Sequence, residues 1–428
     1  MSKILLSFVG TGTVLDTESK IKQLREYRTA EYHLGDEALG KYPFVAAAIA
    51  QHHDIDKVIL IGTAHSMWEE VYRYFCERKG MECNEDAYWE ISEYCEHAKS
   101  DSPLTIPHQE KIEQALGGDS HIMLIRYGLN EEEITENLGI VLSLDKYVNT
   151  GDEIIVDVTH SFRSLPIVVM NLVTYLTNVS KKSPKISHVY YGMLEMAKEL
   201  QYAPIVDIKK VLELNKWIAA ASAFQSYGNA YQVVELLKDV DPDSASRLKD
   251  FSDVLNLNYL YNIEKSIVKV KALKNASFDS PLTTLTVKPV IDNFLKECGT
   301  TDDNHALFQY KLALWHYHKK NFALSLISLF ESIVTWACIK KGVDWNDKTS
   351  RESIKSKIEN IIPKDLYTSY EDIRIFRNSA AHSKKTKIYR WIDRKRNKRK
   401  WIEVSPAQMI DMLREALELT GKCIFQQL

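Results

Sequence analysis

In the first half of the chain, short apolar runs rich in β-branched residues alternate with longer amphipathic stretches. KILLSFVG (3–10), KVILIG (57–62), HIMLIRYG (121–128), EIIVDV (153–158) and HVYYGML (188–194) read as strands, and 43–53, 67–79, 131–145 and 164–179 as the helices between them. Consecutive branched residues such as Ile154, Ile155 and Val156 suit a strand covered on both faces. This alternation predicts a doubly wound, mostly parallel α/β sheet. Near residue 210 the rhythm changes. Helical periodicity then governs 211–238, 243–273, 285–298, 304–319, 321–341, 350–360, 365–383 and 406–425, and strand character returns only near 387–404. LALWHYHKKNFALSLISLFESIVTWACIKKG breaks into two helices near Lys320–Asn321, and the second ends on Gly342. The fold class is therefore α/β plus all-α. The first domain covers 1–208, with an insertion at 81–118 that is rich in charge and carries Pro103 and Pro107, and the helical part covers 209–428.

A chain of 428 residues can build two or three cores. Its formal net charge of −3 gives no global attraction to nucleic acid, so any such binding needs a local patch. The six cysteines show neither CxxC spacing nor a companion histidine cluster, which predicts reduced thiols and no zinc site. The opening MSKILLSFVG reads as a strand rather than a signal peptide, and no apolar run approaches the roughly 20 residues of a bilayer crossing. A soluble cytoplasmic protein without membrane partners is the expectation. QHHD at 51–54 and the pair His316 and His318 are too sparse for metal ligation and read as surface or core histidines.

Three predicted strands end in polar loops: FVGTGTVLD, IGTAHSMWEE and DVTHSFRSLP. In an open α/β sheet such loops share the carboxyl edge, where ligands bind. Pro166 fits the first turn of a helix, whose free N–H groups favour an anion. Gly10, Gly12 and Gly62 allow close backbone approach. Thr11, Thr13, Thr63, Ser66 and Thr159 offer hydroxyls, and His65, His160, Ser161, Phe162 and Arg163 complete the candidate ligand set. The Gly-Thr-Gly string lacks the full GxGxxG spacing and the acidic residue expected to hold a ribose, so an ordinary dinucleotide cofactor is rejected.

In the helical half, IFRNSAAHSKK puts Asn378 and His382 on one helix face, with Arg377 one residue off it. Such a trio suits RNA cleavage by the RNA's own 2′-hydroxyl. The imidazole moves the proton, the guanidinium stabilises charge on the phosphate, and no metal is required. KKTKIYRWIDRKRNKRKW follows directly. Lys384, Lys385, Lys387, Arg390, Arg394 and Lys395 form a basic field interleaved with Tyr389, Trp391 and Trp401, as a single-stranded RNA surface requires.

GTGT, GTAHS and DVTHSFR, each after a strand, together with PIVDIKKVLELNKW, resemble the CARF ligand-binding domains of CRISPR-associated proteins, and within them the branch marked by a D-x-T-H-G signature. The likeness covers about the first 210 residues and departs at Ser161, where the signature has Gly. RNSAAH resembles the R-x(4–6)-H motif of HEPN ribonucleases. Together these resemblances imply a homodimeric, or larger, CARF–HEPN effector of a type III CRISPR system. Its activator is a cyclic oligoadenylate, with cyclic tetra-adenylate the first expectation, its substrate is single-stranded RNA, and it uses no other cofactor. They also imply a composite active site in which Arg377, Asn378 and His382 act as the catalytic set. Glu331 in LFESIVTW reads either as a polar residue facing that site or as an exposed helix carboxylate. The alternatives are a cyclic-oligoadenylate-sensing regulator without nuclease activity, and a protein that also degrades its activator.

Overall fold

A computed structural model of the chain describes residues 1–14, 25–26, 29–159, 165–274, 281–299, 304–382, 386–393 and 398–426. It divides into two compact units, Met1–Glu213 and Leu214–Leu428.

The first unit runs β1 (Lys3–Phe8), the two-residue ladder of β2 (Thr13–Val14) with β3 (Arg25–Glu26), the hairpin β4 (Ala30–Leu34) and β5 (Glu37–Tyr42), and α1 (Val45–His52). There follow β6 (Lys57–Gly62), α2 (Trp68–Lys79), α3 (Glu85–His97), α4 (Gln109–Leu116), β7 (His121–Leu124), α5 (Glu131–Leu142), β8 (Glu153–Asp157) and α6 (Leu165–Asn178). The unit closes with β9 (Lys185–Gly192), the single turn α7 (Ala197–Leu200) and β10 (Ala203–Asp207). Eight strands form one sheet in the order β5-β4-β10-β9-β8-β1-β6-β7. The stretch from β9 to β7 is parallel, with β1 between β8 and β6.

The branched central strands are buried on both faces. Leu5, Leu60 and Ile155 join the core beneath α1, α2, α3 and α4. Their neighbours Ile4, Leu6, Ile61, Ile154 and Val156 join the core beneath α5 and α6. Each such side chain contributes about 2 kcal/mol on burial. Both faces of the sheet are thereby committed to packing, and only the strand ends remain for chemistry. The sequence reading did not place β4, β5 or β10. The hairpin turns at Gly35–Asp36, where Gly35 takes φ of 61°, and EALGKY in β5 is too polar and too exposed to show a strand pattern. The 81–118 segment holds α3 and α4, whose Tyr88, Ile91, Cys95 and Ile112 are built into the first core.

The helical part consists of α8 (Lys210–Tyr227), α9 (Tyr231–Leu237), α10 (Pro242–Asn256), α11 (Leu260–Lys274), α12 (Pro281–Cys298), α13 (His305–His318), α14 (Phe322–Lys340), α15 (Lys348–Ser356) and α16 (Lys364–His382). The hairpin β11 (Lys387–Asp393) and β12 (Lys398–Glu403) and then α17 (Pro406–Thr420) complete it. Two helices expected from periodicity are each divided. The first breaks at Gly228, φ 72°, where an added Cβ would come within 2.4 Å of the Trp315 ring. The second breaks at Asn258, φ 51°, a residue type that tolerates the left-handed region and here accepts a hydrogen bond from Ser328 Oγ at 3.1 Å. The break before Asn321 and the left-handed Gly342 fall where the sequence placed them.

One core gathers α8 to α12 with Phe308, Leu312 and Trp315 of α13. The other gathers Tyr310 and Ala313 of α13 with α14, α16, α17 and the hairpin residue Ile388. The expectation that no apolar run approaches membrane-spanning length needs correction, because α14 is long and apolar enough at 19 residues, though 61% of its apolar window is buried as the middle of this second core. Along α16, Leu366, Tyr370, Ile373 and Phe376 recur at three- and four-residue spacing and are all buried in this core, whereas Ala380, which continues the spacing, is exposed.

Candidate functional site

Strands β1, β6 and β8 lie side by side and point the same way. The chain moves from β1 to β6 and β7 on one side, and later to β8 and β9 on the other. Beyond the carboxyl ends of the strands, the point where direction reverses is the usual ligand position in such sheets. All three polar loops emerge there.

These loops are tied to one another. Ser66 Oγ donates to the Val9 carbonyl at 2.7 Å and accepts from the Thr63 N–H at 3.0 Å, while Met67 N–H donates to the Gly10 carbonyl at 3.0 Å. Thr63 is 1% and Ser66 2% exposed. The Ser66 hydroxyl therefore braces the loops and the Thr63 hydroxyl is buried 3.4 Å from it, a correction to the expectation that they face a ligand. Gly10 and Thr11 are half-buried and Gly12 is exposed. Gly12 takes φ of 69°, and a Cβ there would sit 1.8 Å from Met67 Sδ. Gly62 is equally constrained, since a Cβ would meet the Trp68 ring at 2.7 Å. Both glycines thus serve the close approach of the loops themselves. Thr13 begins the small β2–β3 ladder. The half-buried His65 donates through Nδ1 to the Cys95 carbonyl at 2.7 Å, tying the second loop to α3.

Asp157 ends β8, fully buried, and organises the third loop. One carboxylate oxygen accepts from Ser7 Oγ of β1 at 2.6 Å, and the other accepts both the backbone N–H, at 2.9 Å, and the hydroxyl of Thr159. The Thr159 hydroxyl oxygen in turn accepts from the Gly192 N–H at the end of β9, at 2.8 Å. Ser7 and Gly192 were not anticipated, for Ser7 lies inside an apolar strand and carries no loop signal. Buried Tyr32 of β4 is held well above the usual phenol range, by burial first and then by the Asp157 charge. His160, Ser161, Phe162 and Arg163 lie outside the described residues.

In the helical unit Arg377 and Asn378 stand on α16, which ends at His382. The Arg377 guanidinium lies over the Phe330 ring, 4.6 Å from its centroid, with a nitrogen 3.8 Å from Glu331 Oε1. Phe330 is fixed by stacking on Tyr370 at 5.2 Å. Glu331 is no idle surface carboxylate, since its second oxygen is paired with Arg351 of α15. Asn378 is exposed. The His382 side chain, and Lys384, Lys385, Arg394 and Lys395, lie outside the description. Lys387 is exposed on β11, whose ladder sets Arg390 opposite Lys400. Among the described residues no group of three or more His, Cys, Asp or Glu is placed to hold a metal ion.

The sheet with its topological switch point is a doubly wound α/β domain, the kind that takes ligands at its strand ends, and a helical unit follows it. Residues 4–195 match the family described as CRISPR system endoribonuclease Csx1, CARF domain, and residues 213–302 match that described as CRISPR-associated protein MJ1674, second domain. Over residues 4–195 the amino-terminal unit thus matches a CARF domain, and both matching families are described as CRISPR-associated. It is 32% identical over 412 residues to CRISPR-associated protein MJ1674 of Methanocaldococcus jannaschii, an alignment that takes in 90% of this chain and 62% of that protein. The chain therefore spans less than two thirds of that relative's length. A solved structure of Enterococcus italicus Csm6 bound to cyclic hexa-2′-fluoro-hexa-dAMP aligns with a TM-score of 0.33 and 13% identity, covering 100% of this chain and 95% of that one.

Proposed function

We propose that this chain is a cytoplasmic, homodimeric endoribonuclease of type III CRISPR defence, switched on by a cyclic oligoadenylate. The activator binds beyond the carboxyl ends of β1, β6 and β8, with Gly10, Thr11, Gly12, Thr13, His65 and residues 159–163 as the groups that take its phosphates and adenines. Single-stranded RNA meets α16 and the basic hairpin. His382 takes the 2′-hydroxyl proton and its mate across the dimer returns one to the leaving 5′-oxygen, while Arg377 stabilises charge on the phosphate and Asn378 orients it. The chemistry needs no metal ion. Cyclic tetra-adenylate is the first ring to try, and Lys384, Lys385, Lys387, Arg390, Arg394 and Lys395 would hold the RNA backbone.

The observation that carries the reading is the half-buried Arg377, aimed by Glu331 and laid on Phe330, five residues before His382 on the same helix. A guanidinium kept loosely beside a carboxylate on the rim of a helical core is poised for an incoming anion. The test is to incubate purified protein with fluorescent single-stranded RNA in EDTA, with and without cyclic tri-, tetra- and hexa-adenylate. Cleavage that depends on one ring supports the reading. RNA left intact with every ring overturns it.

A further inference from the structure

Three charged groups meet where α14, α15 and α16 pack, and only Arg377 has been given a role. Arg351, near the start of α15, is the most buried of the three. Its side chain is 15% exposed, against 21% for Glu331 and 34% for Arg377. It spends its donors on three acceptors: Glu331 Oε2, Thr335 Oγ1 at 3.1 Å and the Trp345 carbonyl at 2.7 Å. Only the planar fork of arginine reaches three acceptors spread this way, and it cannot lose its charge near neutral pH. Glu331 therefore has one oxygen fully engaged. Its other oxygen stands 3.8 Å from Arg377, within ion-pair range and beyond hydrogen-bond reach.

We infer that Arg351 is a positioning residue that keeps Glu331 from capturing Arg377. By engaging the carboxylate from behind, it lets Glu331 steer the Arg377 guanidinium while leaving that group's donors available to a phosphate. This rests on the assignment of Arg377 to RNA cleavage. Without Arg351 the uncompensated carboxylate swings onto Arg377 and closes a two-point ion pair, the strongest geometry open to the two groups.

The full-length protein and its Arg351→Ala, Arg351→Lys and Glu331→Gln/Arg351→Ala variants test this. Activator-dependent RNA cleavage is measured as kcat and KM, and the Arg377 Nε–H signal is followed by NMR with 15N-labelled arginine. Arg351→Ala should lower kcat at least tenfold with little change in KM, and should protect the Arg377 Nε–H from solvent exchange. Arg351→Lys should keep part of the rate. Removing the carboxylate as well, in the double variant, ends the capture but gives up the steering, so it should restore part of the rate, which a purely architectural role for Arg351 does not predict. Arg351→Ala with parental kcat overturns the inference, and so does a double variant, folded by circular dichroism, that is as slow as Arg351→Ala. The NMR signal separates this inference from the functional reading. If the parent cuts no RNA but Arg351→Ala still protects Arg377, the function fails and the capture stands. An unmoved signal ends the capture.

Discussion

The two candidate sites spend their polar residues in opposite ways. At the sheet edge Thr63, Ser66, Asp157 and Thr159 are turned inward, and the Ser66 and Thr159 hydroxyls and the Asp157 carboxylate are committed to another loop or strand. On α16 the two residues of the candidate site stay nearer the surface, with Arg377 held by one distant ion pair and an aromatic face, and Asn378 exposed. A site that recognises a ligand gains from loops built before the ligand arrives, because less ordering remains to be done on binding. A group that must meet charge arising in a reaction gains from unspent donors. The first arrangement is rigid and internally satisfied, the second loose and externally hungry.

The largest effect should come from the loose site. His382→Ala should lower RNA cleavage about 10²–10⁴-fold, the usual range for a lost general acid or base, while cyclic oligoadenylate affinity stays within about twofold. Initial rates and a ligand titration check both halves. A break at the rigid site should appear first as lost stability. Asp157→Ala leaves Ser7 and Thr159 without their acceptor and should cost about 3 kcal/mol in urea unfolding, with Asn recovering part of it. Gly12→Ala, strained at positive φ and pressed on Met67, should cost about 1–3 kcal/mol and weaken the activator severalfold. If Gly12→Ala unfolds at the parental midpoint, the rigid description of this edge is wrong.

Acid should sharpen the comparison further. His316 of α13 is 1% exposed, neither ring nitrogen has a hydrogen-bond partner among the described residues, and burial lowers its pKa to about 4. Folding thus favours the neutral ring. The stability present above the unfolded value of about 6.5 is lost as pH falls toward 4, on the order of 3 kcal/mol in all. His316→Phe should flatten that loss in the helical unit, read as the unfolding midpoint at pH 7 and pH 5. His53, at the end of α1, shares the direction and a pKa of about 4 through burial and then His52, His188 and Lys3, with Glu153 opposing. The sheet unit should therefore still weaken in acid when His316 is gone. The smallest effect belongs to Lys387→Ala, about threefold in RNA affinity with a shallower salt dependence.

Legibility from sequence followed the chemistry of burial. The central strands were visible because residues such as Ile154 to Val156 must be covered on two faces, whereas β5 at the sheet edge carries Glu37 and Lys41 and shows no such pattern. The broken helices at Gly228 and Asn258 were hidden because a single left-handed residue hardly disturbs apolar periodicity. At the sites, strings of neighbouring residues were readable and long-range partners were not. Ser7 lies 150 residues from Asp157, and Arg351 lies 20 from Glu331 on a different helix. Thr63 and Ser66 show the converse error, since a hydroxyl in a ligand loop looks the same in sequence whether it faces inward or outward.

Helix α13 sends Phe308, Leu312 and Trp315 into one hydrophobic core and Tyr310 and Ala313 into the other. Neither interior can be opened without stripping a wall from its neighbour. A protease sampling transient openings should find no stable half to release from this part of the chain, and gentle heating should melt both interiors in one step. Dissecting the helical region into separately expressed pieces at α13 should yield two insoluble fragments.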